Sequence, residues 1–252
     1  LTVKLDLGTV GVGVGSTGAS TLVSLVGGST LATNGAGVSA AISGGTVGAT
    51  VQYTYKAIPT LSLVTLPTTA LAAGTNTLAK FSVNTSGTGT IAWNRMIFSL
   101  TKTSAPTIAN GAAVTLWNAD SNTQVTGTST ILNLATNADT CIAAETACRL
   151  TFVPTTEQQV SGSVNYALKA TVAGALATAD YITTTLAAPS TFAASAAYAT
   201  VAGTVSTYAN AGTLPSFILS DVSASGHATT TTDWSNDYLV RTLPLDSQTL
   251  TK

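Results

Sequence analysis

The chain opens on Leu1-Thr2-Val3-Lys4-Leu5-Asp6-Leu7, in which apolar residues alternate with polar ones. Successive side chains of a β-strand point to opposite faces of the sheet. The alternation therefore places Leu1, Val3, Leu5 and Leu7 on one face of a predicted strand. This heptapeptide is the clearest strand signal in the sequence.

The same period of two recurs along the rest of the chain. It predicts strands at 62–66, 78–83, 97–100, 150–153, 164–170 and 181–186, separated by turn residues such as Asn110-Gly111 and Ser161-Gly162. Thr and Val are abundant whereas long helix formers are rare, which also favours strands. Many short strands at this spacing predict an all-β protein of antiparallel, Ig-like β-sandwich domains with Greek-key topology. The Ala-rich run 193–202 carries no charged face, and we interpret it as strand or loop.

Pro59 gives the best domain boundary, because proline has no N–H to donate to a strand ladder. We expect a small N-terminal β module at 1–57 and a larger β-sandwich domain at 58–252. The segment 11–48 has the composition of a flexible linker, but its interspersed Val and Leu favour plain strands. A module of this size is short for a complete sandwich, so a neighbouring subunit is expected to complete it.

Charge is scarce: 252 residues include 9 Lys and Arg and 10 Asp and Glu, or 8% where roughly 25% is ordinary. A net charge of −1 excludes an electrostatic nucleic-acid binder.

We predict no enzyme, since His227 is the single histidine and its neighbours include Asp221 but no GxSxG nucleophile elbow. No apolar run is long enough for a transmembrane helix. The sequence begins without an initiator Met or the pattern of a signal peptide, so we interpret it as a processed or excised product whose targeting signal is missing.

The two cysteines, Cys141 and Cys148, are predicted to form a disulfide that closes a hairpin loop. Free thiols are the alternative, whereas zinc lacks a second pair of ligands. A disulfide indicates an oxidising, extracellular location.

Oxygen ligands at alternating positions are typical of calcium loops. Asn118, Asp120 and Asn122 have that spacing, with Asp139 nearby in the sequence, but Asx turns that cap their own backbone explain the pattern as well. A second such group comprises Asp221, Asp233, Asn236 and Asp237. We expect no cofactor other than this candidate calcium.

Two further features are candidate binding or modification sites. Trp93, Trp117 and Trp234 would suit a sugar-stacking platform, but ordinary core packing is the competing interpretation. Asn84 begins an Asn84-Thr85-Ser86 sequon and is the candidate for N-glycosylation.

Two parts of the chain resemble a known group of proteins. The first runs through Tyr55-Lys56-Ala57-Ile58-Pro59-Thr60-Leu61, Leu66-Pro67, Leu71-Ala72-Ala73-Gly74-Thr75-Asn76-Thr77-Leu78 and Phe81-Ser82-Val83. The second runs through Phe217-Ile218-Leu219-Ser220-Asp221-Val222-Ser223-Ala224, Asp233-Trp234-Ser235-Asn236-Asp237-Tyr238-Leu239-Val240 and Leu243-Pro244. Over about residues 50–252 the chain is similar to the S-layer-like cell-surface β-sandwich proteins of candidate-phyla-radiation (patescibacterial) bacteria. The resemblance implies tandem β-sandwich domains and a structural role.

No Asp, Glu, Lys or Arg lies between Asp6 and Lys56, so the predicted N-terminal strands lack the charges that normally protect sheet edges. We therefore expect a self-assembling extracellular subunit at the cell surface, in a filament, pilus-like fibre or S-layer lattice, with copies of itself as partners. Strand 1–7 would be donated to a neighbour, or would pair within its own domain. The rival hypothesis is a monomeric adhesin that binds a glycan or host protein, and cell envelope or glycan partners fit both. A secreted hydrolase using His227 is a third hypothesis.

Overall fold

The structure is a computed structural model that describes residues 4, 6, 8–11, 17–26, 31–33, 35–41, 45–85, 89–134, 138–186, 191–202 and 215–252. It is 49% strand and 5% helix, and its strand pairs are antiparallel, which confirms the all-β prediction. The four apolar residues of the predicted strand at 1–7 lie outside the described residues.

The N-terminal strands are β1 (Ala19–Thr21), β2 (Ser24–Leu25), β3 (Leu31–Thr33), β4 (Ser39–Ala41), β5 (Val47–Gly48) and β6 (Gln52–Thr54). The remaining strands are β7 (Pro59–Leu63), β8 (Gly74–Thr85), β9 (Thr90–Lys102), β10 (Val114–Asn118), β11 (Thr123–Val125), β12 (Gly127–Asn133), β13 (Ala147–Pro154), β14 (Gln158–Ser161), β15 (Ser163–Val172), β16 (Tyr181–Leu186), β17 (Phe217–Ser220), β18 (Trp234–Ser235) and β19 (Gln248–Thr251). Short 3-10 turns lie at Gly111–Ala113 and Asp237–Leu239.

A single α-helix, α1 (Tyr198–Ala202), occurs in the described part of the chain. It corrects the prediction of strand or loop for the end of the Ala-rich run. Val201 and Ala202 of this helix pack with Ile218 and Trp234 in a small buried cluster on the sheet. Tertiary burial therefore stabilises a helix that has no charged face of its own.

Five strands form one sheet of the sandwich, in the order β11-β10-β15-β8-β7. The predicted alternation is present: Leu116, Phe81 and Leu168 are buried, whereas Trp117 and Lys169 reach the surface. The strands predicted at 78–83 and 164–170 thus lie inside β8 and β15. The strand predicted at 62–66 begins and ends earlier, as β7 (Pro59–Leu63).

The second sheet is organised around β9. Its first half pairs with β14 and β17, and its second half pairs with β13 and β16. Beyond these strands, β12 pairs with β13, β19 with β16, and β18 with β17. The predicted strands at 97–100, 150–153 and 181–186 all belong to this sheet.

An aromatic cluster joins the two sheets across the core. Phe81 of the five-stranded sheet contacts Phe98 of the other, and Tyr166 contacts Trp93, with ring centroids 5.7 and 5.3 Å apart. The Trp93 Nε1–H donates to the Tyr166 hydroxyl at 3.2 Å, and burial raises the pKa of Tyr166 despite this bond. Trp93 is therefore a core residue, and the two sheets enclose one sandwich core.

The chain passes between the sheets at Gly162. β14 pairs with β9 in one sheet, and β15, which begins at Ser163, pairs with β8 in the other. Gly162 has a φ of +82°, which an L side chain rarely adopts. The predicted Ser161-Gly162 turn is thus the point at which the strand changes sheets.

Candidate functional sites: a ribbon, its anchor and a groove

The six N-terminal strands form three nested antiparallel pairs: β1 with β6, β2 with β5, and β3 with β4. Ala19 lies opposite Thr54, Ser24 opposite Gly48, and Thr33 opposite Ser39. This nesting is that of a long hairpin, and the described residues between 19 and 54 are here called the ribbon. The prediction of plain strands at 11–48 is confirmed in the described parts of this segment.

The ribbon exposes apolar side chains. Among the described residues, seven of the eleven exposed large apolar side chains belong to it: Leu22, Val23, Leu25, Val26, Val38, Val47 and Val51, with Val47 68% and Leu22 55% exposed. Within the described backbone, β1, β2, β5 and β6 each pair with a single strand. The ribbon thus combines apolar surface, open strand edges and no charge.

A buried carboxylate anchors the base of the ribbon to the sandwich. Asp221 is 1% exposed, and its Oδ2 accepts hydrogen bonds from Thr17 Oγ1 at 2.6 Å and from the Lys56 N–H at 2.8 Å. Gly18 (φ +71°) passes so close to Ser195 that an added Cβ would lie 2.5 Å from the Ser195 Oγ. Asp221 therefore ties both strands of the ribbon to the loop that follows β17.

Aromatic stacking adds to this anchor. The rings of Tyr53, in β6, and Phe192 are 4.3 Å apart, and Phe192 also contacts Tyr238 edge-on at 5.4 Å. The Lys56 ammonium donates to the Val222 carbonyl at 3.0 Å. The base of the ribbon is held by these contacts, whereas Leu25, Val26 and Val47 farther along it are exposed.

His227 lies between two carboxylates. Its Nδ1 is 2.9 Å from Asp233 Oδ2 and its Nε2 is 3.1 Å from Glu157 Oε2. A neutral imidazole has one N–H, so both contacts are hydrogen bonds when the ring carries two protons. Burial opposes ionisation of Asp233, but hydrogen bonds from Thr231 and the Ala224 N–H and the charge of His227 outweigh it and lower its pKa.

This arrangement differs from a catalytic triad. Ser220 Oγ and Asp233 both face Nδ1 of His227, at 3.5 and 2.9 Å, whereas a triad places nucleophile and acid on opposite ring nitrogens. Asp221, which the sequence placed near His227, instead anchors the ribbon. Glu157, 70 positions away in the sequence, was missed because it comes close only when β14 and β17 both pair with β9.

Cys141 and Cys148 form the predicted disulfide, with their Cα atoms 6.0 Å apart. The enclosed loop is also held by Lys102, whose Nζ donates to the Ile142 carbonyl at 2.9 Å, and by Glu145, which accepts from the Ile142 N–H at 2.6 Å. Burial lowers the pKa of Lys102, and the charge of Glu145 opposes this shift. Although Glu145 and the two sulfur atoms cluster closely, disulfide sulfurs are not thiolate ligands, so this cluster is structural.

The calcium candidates lie in separate turns. Asn118 Oδ1 accepts from the Asp120 and Ser121 N–H groups in the turn between β10 and β11, which is an Asx turn. Asp120 accepts from the backbone and side chain of Asn165, and these hydrogen bonds lower its pKa. Asp139 instead accepts from the Ile131 N–H of β12. These bonds favour the capping-turn alternative, and Asn122 completes the turn with a φ of 52°.

The other polar candidates also serve local structure. Asp237 Oδ2 accepts from the N–H and Oγ of Ser216, both at 2.6 Å, and the Asn236 side chain donates to the Thr191 carbonyl. Asn84 is half-buried in β8, where its Oδ1 accepts from Ser82 Oγ at 3.0 Å.

Trp117 lines a groove on the outer face of the five-stranded sheet. Trp93 and Trp234 are fully buried, so core packing is the interpretation that holds for them, and Trp117 is the tryptophan at the surface. The groove, here called the Trp117 groove, has a volume of about 190 Å³ and is bordered by Lys80 and Lys169. The Lys169 Nζ lies 4.0 Å from the centroid of the Trp117 ring.

No known protein family, curated protein or solved structure matches this chain. No helix in the described ranges is long and apolar enough to cross a membrane.

Proposed function

We propose that this protein is a structural subunit of a self-assembling extracellular surface structure, a filament, pilus-like fibre or S-layer-like lattice, whose copies contact one another through the ribbon. One observation carries the proposal: a two-stranded ribbon that exposes seven large apolar side chains and lies in a segment with no charged residue. The family resemblance and the disulfide agree with a cell-surface, extracellular location.

The uncharged, apolar surface of the ribbon fits a second copy of the same protein as its partner. An isolated two-stranded hairpin is marginally stable in water, so a long ribbon gains from further strands or from an apolar surface. Complete burial of each half-exposed Val or Leu would stabilise the contact by about 1 kcal/mol. Added strand pairing would satisfy the backbone groups of the open edges.

The absence of charge makes repeated contacts between identical copies favourable. An uncharged surface can be buried against a like surface without leaving an unpaired charge, which would cost several kcal/mol. If the ribbon of one copy packs on a different surface of the next, the contact is heterologous and extends into a filament or lattice.

Donation of the strand at 1–7 is a second route to the same assembly. Leu1, Val3, Leu5 and Leu7 would then fill the core of a neighbouring subunit, with the ribbon beside them. Deletion of residues 1–7 separates the two routes: polymers are lost if the strand is donated, and persist if the ribbon alone makes the contact.

The decisive experiment is to place charge on the ribbon. Leu22→Lys and Val47→Lys add a cation at positions that are 55% and 68% exposed, so the monomer should fold while ribbon contacts weaken. Ile142→Lys is the matched control, because Ile142 is 45% exposed in the disulfide loop. We expect concentration-dependent light scattering and negative-stain microscopy to show polymers for the parent chain and the control but not for the ribbon variants.

Two outcomes would contradict the proposal. A parent chain that stays monodisperse at high concentration would favour the monomeric adhesin, and polymers unaffected by either ribbon substitution would exclude the ribbon as the contact. Circular dichroism of each variant distinguishes lost assembly from lost folding.

A further inference from the structure

We infer that the Trp117 groove binds a sugar residue that carries a carboxylate, such as a uronic acid. This is a binding activity of the sandwich itself and does not depend on assembly through the ribbon. The anchor of the ribbon involves Asp221 and Lys56, whereas the groove is formed by β8, β10 and β15.

The strand register builds the groove. Ala167 lies directly between Trp117 on β10 and Lys80 on β8, and all three face outward. A small residue between two large ones leaves a depression, with Ala167 as its floor at 6% exposure. The neighbouring row places Lys169 between Thr115 and Thr77. The groove is therefore fixed on three paired strands of the sheet.

The groove offers a rigid aromatic wall. The Trp117 Nε1–H donates to Thr115 Oγ1 at 3.0 Å, which fixes the ring. The Lys169 ammonium lies over one face, so the ring surface outside this contact is the wall that a ligand meets. Aromatic faces bind the apolar C–H face of a sugar ring because both surfaces are apolar and flat. The Thr77 hydroxyl and the Asn122 amide at the margin are suited to sugar hydroxyl groups.

Two ammonium groups make the groove cationic. Lys80 and Lys169 both line it, although the whole chain has 9 basic residues. The Lys169 ammonium lies over the Trp117 ring at 4.0 Å, so its position is set before a ligand arrives. The charge of Lys80 also acts on Asp120, both of whose oxygens accept hydrogen bonds from Asn165. A ligand carboxylate would gain Lys169 and Lys80 as cationic partners and would compete with Asp120 for Lys80.

The volume of the groove and its open side indicate which class of ligand it binds. A volume of about 190 Å³ is below the roughly 300 Å³ of typical small-molecule sites, and it suits one sugar residue rather than an oligosaccharide. A uronic acid presents both groups that the groove recognises, an apolar ring face and a carboxylate. The remainder of an acidic polysaccharide would extend from the open groove into solvent.

Binding to the full chain is tested by calorimetric titration with glucuronate, glucose and acetate in parallel. We expect glucuronate to bind in the millimolar range or tighter, and glucose and acetate each to bind at least tenfold more weakly. Tryptophan fluorescence gives a second readout, because Trp93 and Trp234 are buried and a surface ligand acts on Trp117.

Matched variants assign the binding to the groove. Lys80→Gln and Lys169→Gln should each weaken glucuronate binding at least tenfold, and Trp117→Ala should abolish it. Arg241→Gln removes an exposed cation elsewhere and should leave the affinity unchanged. The thermal midpoints of all variants confirm folding.

Each other result would overturn the inference. If glucuronate does not bind, the proposed site is refuted. If glucose binds as tightly as glucuronate, the role of the two lysines is refuted. Equal binding of acetate refutes the contact with the ring. Equal weakening by Arg241→Gln shows an attraction spread over the surface rather than the groove.

Discussion

Substitution of Asp221 tests whether a single buried carboxylate holds the ribbon on the sandwich. Asp221→Ala removes the acceptor of two hydrogen bonds, from Thr17 Oγ1 and from the Lys56 N–H. Asp221→Asn keeps an oxygen in the same place and is the conservative variant. Asp246→Ala, at an exposed carboxylate, is the control for loss of charge alone.

The magnitude follows from the contacts. Each hydrogen bond to the carboxylate contributes about 1.5–3 kcal/mol, and these two bonds together contribute about 4.5 kcal/mol. Asp221 Oδ1 is buried with no partner among the described residues, a state that costs about 2 kcal/mol. The net loss in Asp221→Ala is therefore about 2.5 kcal/mol, or about 60-fold in the opening equilibrium of the ribbon base.

Amide hydrogen exchange measures this opening at a group that Asp221 does not touch. The Gly18 N–H donates to the Thr54 carbonyl at 2.8 Å, so its protection reports the pairing of the ribbon base. We expect about 60-fold faster exchange at Gly18 in Asp221→Ala, less than tenfold in Asp221→Asn, and no change at Phe98 in the core. Unchanged protection of Gly18, or equal losses at Gly18 and Phe98, would refute the local anchor.

The disulfide and the His227 cluster give two further predictions. Replacing both Cys141 and Cys148 by Ala should lower the free energy of unfolding, measured in urea, by about 2.5 kcal/mol. This is the loop-entropy value for a disulfide that joins residues 7 positions apart. An unchanged free energy of unfolding would show that Lys102 and Glu145 hold the loop by themselves. Because its folded-state pKa is lowered, Asp233 contributes stability that is complete above the ordinary Asp pKa of 3.8 and is lost as the pH falls through the folded-state value. Asp233→Asn should therefore lose less stability between pH 7 and pH 3 than the parent chain in urea titrations, and an identical loss would contradict this role.

Strands with a polar face and an apolar face could be predicted from the sequence. The runs at 150–153 and 164–170 place apolar residues at every second position, so one face is buried wherever the strand pairs. Helix α1 was not predictable in this way, because its stability comes from packing on Ile218 and Trp234 rather than from its own composition.

The ribbon and the groove depend on pairings that the sequence does not specify. In the uncharged segment small residues occupy both faces, so no alternation fixes which strand lies opposite which. Similarly, Trp117 and Lys80 are separated by 37 positions and become neighbours across Ala167 only when β15 inserts between β10 and β8. Spacing along the chain therefore predicted the strands, whereas both candidate binding surfaces required the order of strands in the sheet.

The central place of β9 has a consequence for how the protein is made. This strand pairs with β16 and β17, and β17 ends at Ser220, more than 110 positions after β9 ends at Lys102. Contacts between such distant segments form slowly, because a long loop must close before they stabilise the chain. During synthesis β9 therefore emerges long before β16 and β17, so its sheet stays incomplete until β17 has been made. Until then the edge of β9 that these strands cover stays open to other strands.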